Sequence, residues 1–294
     1  MASKEQEMLP LFPPRETRPR SDYFGPARGA TFLRDQFTIS TWLCMGAVVQ
    51  GSLLLAIGRL ALVPAVALLL YRTLDTYAMV VGFKENKYMK HVITQKVSAQ
   101  IPDENGKFGS KPASSAITVF LIGARTNHPL GAFGPGFKEL GGYFEQMSKD
   151  LDRHADEFGF LGMTSWLNAS ARHTSAETQS VCYFRNVEGL QAFAHGEYHR
   201  KGWEWWNKTL KDHPYMSIFH ETYDVPAGSW ETIYGNSHPS GLATTTYKIR
   251  NKDTGKVEYA SPIVDAKKGL LRTSAGRMSR SNANEHDGYE EPKY

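Results

Sequence analysis

Cysteine is nearly missing from this 294-residue chain, which has only Cys44 and Cys182. Two thiols build neither a disulfide framework nor a cysteine zinc site, and so small a supply suits a reducing compartment. An excess of one charge is missing too. The formal net charge is +4, with Lys and Arg spread along the chain rather than gathered. Phosphate recognition calls for a clustered basic face, so nucleic acid is not an expected partner. There is no internal repeat, no Ser-His-Asp elbow, no phosphate loop and no dinucleotide fingerprint, which removes the usual hydrolase, nucleotide-binding and dehydrogenase readings. The early residues lack the short apolar stretch and small-residue cleavage site of a secretory leader. The two sequons, at Asn168 and Asn207, fall in a predicted strand and helix and read as chance matches.

What the chain does have is a long apolar run. Residues 36–58 are twenty-three positions without a charge, and after Arg59 another twelve follow, 60–71. About 20 apolar residues in a helix span a bilayer. Read as one helix, 36–71 would be about 54 Å long, too long for a single crossing. Two solutions remain: one span with an interfacial helix, or a hairpin turning near Gly58-Arg59 with Pro64 bending its second arm. Arg15, Arg18, Arg20, Arg28 and Arg34 precede the run, and Arg72, Lys84, Lys87, Lys90 and Lys96 follow it. Similar positive flanks place both ends on the cytosolic side, which favours the hairpin. The competing reading is a core helix of a soluble protein. The expected organisation is a disordered Pro- and Arg-rich arm at 1–35, a membrane segment at 36–83 and a polar linker at 84–114.

Beyond the linker, pattern alternates with period. Residues 116–124 are β-branched and apolar, a buried strand. Phe137, Leu140, Phe144, Met147, Leu151, Ala155 and Phe158 recur at helical spacing. Gly141-Gly142 within that helix is costly and is expected to mark a close backbone contact. Strands follow at 162–171 and 178–185, a second helical region at 187–210, and a last strand at 216–225. The order β-α-β-β-α-β is that of a ferredoxin-like α+β domain, with a four-stranded antiparallel sheet and helices on one face. The other face needs a cover, expected to be a second copy that closes a dimeric barrel. A hairpin, 243–249 with 257–263 around Asn251-Lys252-Asp253-Thr254-Gly255, is added. Residues 115–265 form the expected unit, able to fold alone, and 266–294 a disordered tail.

The densest chemistry lies between Phe193 and Asn207. On one helix, His195, His199, Trp203 and Trp206 would stack on a single side, unless Gly196 or Gly202 interrupts it. Two imidazoles over an indole wall could grip an apolar ligand and move a proton, or hold a metal between them. A plain packing face is the bland alternative. On the last strand, His220 and Thr222 share one face, Glu221 and Tyr223 the other. His220 or Glu221 could serve as a base tuned by burial. Trp166 and Asn168 could line the same cavity, and the loop after Pro226 could fold over it with Trp230 as anchor.

These stretches resemble a known family. The run from Phe193 to Asn207, the run His220-Glu221-Thr222-Tyr223-Asp224-Val225-Pro226-Ala227-Gly228-Ser229-Trp230, and His238-Pro239-Ser240-Gly241-Leu242 are similar to a fungal family of the antibiotic-biosynthesis-monooxygenase type, typified by the fumagillin-pathway monooxygenase. The resemblance covers roughly residues 32–242. It implies a dimeric α+β barrel and O₂-dependent oxidation of a lipophilic polyketide or terpenoid intermediate; the uncharged run at 36–58 without a cleavable leader adds the expectation of an anchor in an internal membrane such as the endoplasmic reticulum, with the globular domain in the cytosol. It implies chemistry without a metal or flavin, with a haem held through a histidine as the variant. His195, His199, His220 and Glu221 are then the candidate catalytic residues. Trp166, Asn168, Trp203, Trp206, Tyr223 and Trp230 are the candidate substrate contacts, with no metal ligands. A membrane-tethered carrier that binds such a metabolite without turning it over is the other reading.

Overall fold

In the computed structural model, which describes residues 7–21, 33–168 and 177–281, eight strands are formed. They are β1 (Val97–Ala99), β2 (Ile117–Thr126), β3 (Phe160–Leu167), β4 (Thr178–Phe184), β5 (Met216–Val225), β6 (Tyr247–Arg250), β7 (Val257–Ala260) and β8 (Ile263–Asp265). The helices are α1 (Ile39–Ile57), α2 (Val63–Val80), α3 (Phe137–Arg153), α4 (Val187–His195), α5 (Glu197–Thr209) and the short α6 (Ser274–Arg277). Strands β2 to β5 make one antiparallel sheet ordered β3-β4-β2-β5, with α3 after β2 and α4–α5 after β4. That is the ferredoxin-like β-α-β-β-α-β arrangement.

Strand β2 is apolar on both faces because both are used. Phe120 and Ile122 pack with Met163, Cys182 and Phe184 under Leu151, Phe158, Leu190 and Phe193 of the helical layer. The opposite face bears Ile117, Val119 and Leu121. Its Ile117 end, with Tyr183 and Val225, is covered by a second core of Val97, Ala99, Trp230, Leu242, Tyr247, Ile249 and Ile263. The chain's own later segments therefore cover one end of the face expected to be bare. Past that end, Trp166, Phe219 and Tyr223 on the same face stay exposed.

This second core corrects three boundaries. The expected linker contributes β1, which pairs with β8 (Val97↔Asp265, Ala99↔Ile263), and Ala99 is fully buried. A unit cut at Ser114 would leave β8 without its partner. Residues 7–21 of the expected arm are strapped down through bridges Pro10↔Val264 and Arg15↔Tyr259, with Met8 buried. Part of the expected tail is ordered as well: Leu271 and Arg277 are buried, and the Arg277 guanidinium binds Glu231 at 2.5 Å. Residues 1–6, 22–32 and 282–294, where the arm and tail expectations also fall, lie outside the described residues. The hairpin forms as β6–β7, with Asn251 Oδ1 accepting from the Asp253 and Thr254 amides.

The apolar run forms two helices divided at Gly58, whose φ of 63° ends α1. A 3₁₀ turn (Gly58–Leu62) folds back far enough for Gln50 Nε2 to donate to the Ala61 carbonyl at 2.9 Å. Pro64 sits in the first turn of α2, where its missing N–H costs nothing. The helices make no extended packing along one another, and neither buries a side chain. Residues 39–80 are long and apolar enough to cross a membrane.

Candidate functional site

Asn186 caps α4 by accepting from the Gly189 amide at 2.9 Å, and Gly196, in an extended conformation, ends that helix and starts α5. The predicted continuous stack is thus broken. His195 closes α4 as an exposed side chain with its Nε2 3.2 Å from Gln191 Oε1, outside the face that His199 and Trp203 share one turn apart on α5. Gly202 does not interrupt α5. It is buried where a Cβ would meet Met147 Cε at 3.4 Å and Tyr143 Cβ at 3.5 Å, so it sets the close approach of α5 to α3.

His199 is half-buried, with its ring 6.1 Å from that of Phe193 in an edge arrangement. Across from it, on edge strand β5, His220 stands opposite Ile122 in the register, on the helix-facing side. Its ring centroid is 5.5 Å from that of Phe120. Burial pushes the His199 imidazole below the ordinary value. A hydrogen bond to the Ala194 backbone opposes this, and the charges of His220 and His195 add to it. His220 thus lies against the half-buried Phe120 and beside Ile122, and His199 is near enough for the two imidazole charges to interact. Because β5 is an edge strand, no further strand bounds the space between it and α5, which is the candidate groove. Trp203 follows on α5 at 57% exposure, and Trp206 is half-buried farther along.

The remaining candidates are elsewhere. Glu221 stands opposite Leu121 and Tyr223 opposite Val119, on the other face of the sheet, and the Tyr223 hydroxyl donates to Glu221. Trp166 pairs with Gln179 on that same face, while Met163, Ser165 and Leu167 take the helix side. Asn168 follows just past β3, its amide donating to the Glu177 carbonyl at 3.0 Å. Trp230 is buried in the second core, donating through Nε1 to the Ser115 carbonyl at 2.8 Å. The sheet separates it from the histidines, because Ile117 and Val225 bring that core to the far side.

Sequence reasoning missed the apolar neighbours of His220. Phe120 and Ile122 were visible as strand residues, but only strand pairing shows that they meet His220. A groove of about 540 Å³ between α3 and α5, lined by Tyr143, Met147, Tyr198 and Lys201 among others, includes neither histidine of the pair. Among the described residues no three His, Cys, Asp or Glu side chains converge as a metal site would require. The arrangement offers one neutral imidazole, a second imidazole across an open groove, and apolar walls.

The chain is 34% identical to monooxygenase af470 of Aspergillus fumigatus over 279 residues, which is 95% of this chain and 100% of that protein. The chain belongs to the af470-like monooxygenase family. The family model matches residues 117–242, from the first residue of β2 through the loop after β5. This af470-like chain is therefore a monooxygenase. Among solved structures it is similar to SnoaB of Streptomyces nogalater, described as a cofactor-independent oxygenase. That match has 9% identity, 36% of this chain, 90% of that one and a TM-score of 0.26. A dimeric ferredoxin-like protein from Thermobifida fusca matches at 12% identity, over 38% of this chain and 92% of that one, with a TM-score of 0.24. The fold of the af470-like chain rests on its own strand order.

Proposed function

We propose that this monooxygenase oxidises a lipophilic polyketide or terpenoid intermediate of fungal secondary metabolism directly with O₂, in the groove between α5 and β5, while anchored in an internal membrane such as the endoplasmic reticulum with its globular part on the cytosolic side. The observation that carries the site is His220 against Phe120, with His199 near enough for the two imidazole charges to interact. A neutral imidazole at physiological pH is a general base, and partial burial next to apolar walls suits an acidic, electron-rich substrate whose anion forms there. His199 takes a proton from an activated carbon. The carbanion gives an electron to O₂, the two radicals combine, and the resulting hydroperoxide loses water. An activated methylene becomes a carbonyl, with one oxygen atom in the product and the other in water. His220 donates to the developing anion in this reading, and Trp203 and Trp206 supply walls. The reading needs neither haem nor metal.

The anchor is supported by two apolar helices, neither of which buries a side chain against the protein. Association into a homodimer is supported by Trp166, Phe219 and Tyr223 on the uncovered part of the sheet. The test uses full-length protein in lipid vesicles with a polycyclic, weakly acidic methylene compound under ¹⁸O₂. Label in the carbonyl product with matching O₂ uptake supports the proposal. Binding of the probe without O₂ uptake, in wild-type protein across several such probes, would favour the carrier reading.

A further inference from the structure

The root of the apolar helix is fastened to the globular domain through Gln36. Gln36, two residues before the α1 cap Thr38, donates through Nε2 to the Leu130 carbonyl at 2.7 Å and accepts at Oε1 from the Ala132 amide at 2.9 Å. The loop is shaped for this grip. Gly131 has a φ of 54°, and a Cβ there would lie within 2.5–2.9 Å of the Gln36 amide. On either side of the grip, Leu130 is 57% exposed and Phe133 is 61% exposed. Trp42, in the first turn of α1, donates its indole N–H to the Arg34 carbonyl at 2.9 Å and packs edge-on against Phe37 at 5.4 Å. Tryptophan with its apolar body on one side and a bonded N–H on the other is the side chain that settles at the headgroup level.

We propose that the loop of residues 128–133 lies in the bilayer surface beside α1, so that the Trp203–Ile218 end of the groove faces lipid. This rests on the membrane anchoring proposed above. The occupant is argued from connectivity: two apolar side chains held by a bidentate bond next to the first residues of a membrane helix have lipid as their nearest apolar phase. The topology then orients the groove. Loop 128–133 follows the end of β2 at Thr126, which pairs with Met216, the start of β5. From His220 toward that end, Ile218 comes next on the same face of β5, about 7 Å along the strand. From His199 toward the same end, Trp203 lies about 6 Å along α5, since that helix runs toward the start of β5. Ile218 and Trp203 are both exposed. A lipophilic substrate would pass from the bilayer along these two side chains to the histidines without crossing water.

The experiment uses the full-length chain with Cys44→Ala, leaving Cys182 buried and unreactive, its thiol pushed up to about 12 by burial. Single cysteines are introduced by Leu54→Cys in α1, Phe133→Cys in the loop and Lys252→Cys in the β6–β7 turn. Each is labelled with an environment-sensitive fluorophore and reconstituted in phosphatidylcholine vesicles containing shallow or deep doxyl-labelled lipid. The expected result is quenching at position 54, quenching by the shallow label at 133, and none at 252. Adding Gln36→Ala should reduce quenching at 133 and leave 54 unchanged. Quenching at 54 with a 133 signal as unaffected as that at 252 would overturn the loop proposal while sparing the anchor. No quenching at 54 would overturn both. Leu130→Cys repeats the loop measurement should Phe133→Cys fold poorly.

Discussion

A positive charge on His220 opposes protonation of His199 across the groove, and burial of the His199 ring acts in the same direction. The ordinary imidazole value is about 6.5, so the folded value lies below it. The neutral, proton-accepting form then persists as pH falls past the point where a free histidine would charge. The rate should fall on its acid side along a limb whose midpoint is below that ordinary value. His199→Gln should remove this limb and lower the rate by about 10²–10⁴. His220→Gln should move the limb upward, because one opposing charge is gone. The check is the pH dependence of kcat/KM in all three proteins. An unmoved limb in both variants would assign it to another group.

The same depression has a consequence for stability. A histidine that folding keeps neutral contributes stability that is present above the unfolded value and lost as pH falls through the folded one. Urea midpoints measured across that interval should decline less steeply in His199→Gln than in the wild type.

Glycines in the helical layer should respond in opposite ways to alanine. At Gly189 a Cβ would lie 2.1 Å from the Phe158 carbonyl oxygen, a backbone atom that cannot step aside. Gly189→Ala is expected to cost about 1–3 kcal/mol through overpacking. At Gly141 and Gly142 nothing lies within 4 Å of the added atom, so the close contact expected there is not formed. Alanine at either should add roughly 0.5–1 kcal/mol by helix propensity. Thermal or urea unfolding of the three variants decides the matter.

Trp230 should behave as a structural residue. It is buried, bonded to the Ser115 carbonyl, and packed where β1, β6 and β8 meet the sheet. Trp230→Ala is expected to cost about 3–5 kcal/mol. The protein that remains folded should keep the wild-type acid limb, measured at a temperature well below its lowered midpoint. A displaced limb in folded protein would return Trp230 to the site.

Association should run through the uncovered sheet surface. Phe219 lies over Gly123, where a Cβ would come within 2.2 Å of its ring, and Trp166 and Tyr223 flank that face. Trp166→Glu with Phe219→Glu should turn a dimer into a monomer in sedimentation of detergent-solubilised protein, with circular dichroism unchanged. A dimer that survives both changes would place the interface elsewhere.

Much of this was legible in the sequence because it is local. The uncharged length of residues 36–58, the helical spacing from Phe137 to Phe158, the strand run at 116–124 and the alternation of His220 with Glu221 each follow from the period of one element. They gave the ferredoxin-like order and the two faces of β5. What the sequence could not give was which distant segment lies against each face. Val97–Ala99 reads as part of a polar stretch until β8 pairs with it, and Ile117 gains its cover only when Trp230 and Leu242 return to the far side of the sheet. For the same reason Trp166 and Trp230, grouped with the histidines by residue type, are separated from them by the sheet, whereas the alternation along β5 had already set Glu221 and Tyr223 on the face opposite His220. Gly196 shows the limit within a single element: the spacing of its neighbours allowed one continuous stack, but Gly196 takes the extended conformation that ends α4, at a place where a Cβ would come within 3.0 Å of the Ala192 carbonyl oxygen, and that takes His195 off the face of His199. Periodicity determines what an element presents on each side. Long-range pairing and packing, which depend on the sum of many weak contacts between remote residues, decide what each side meets.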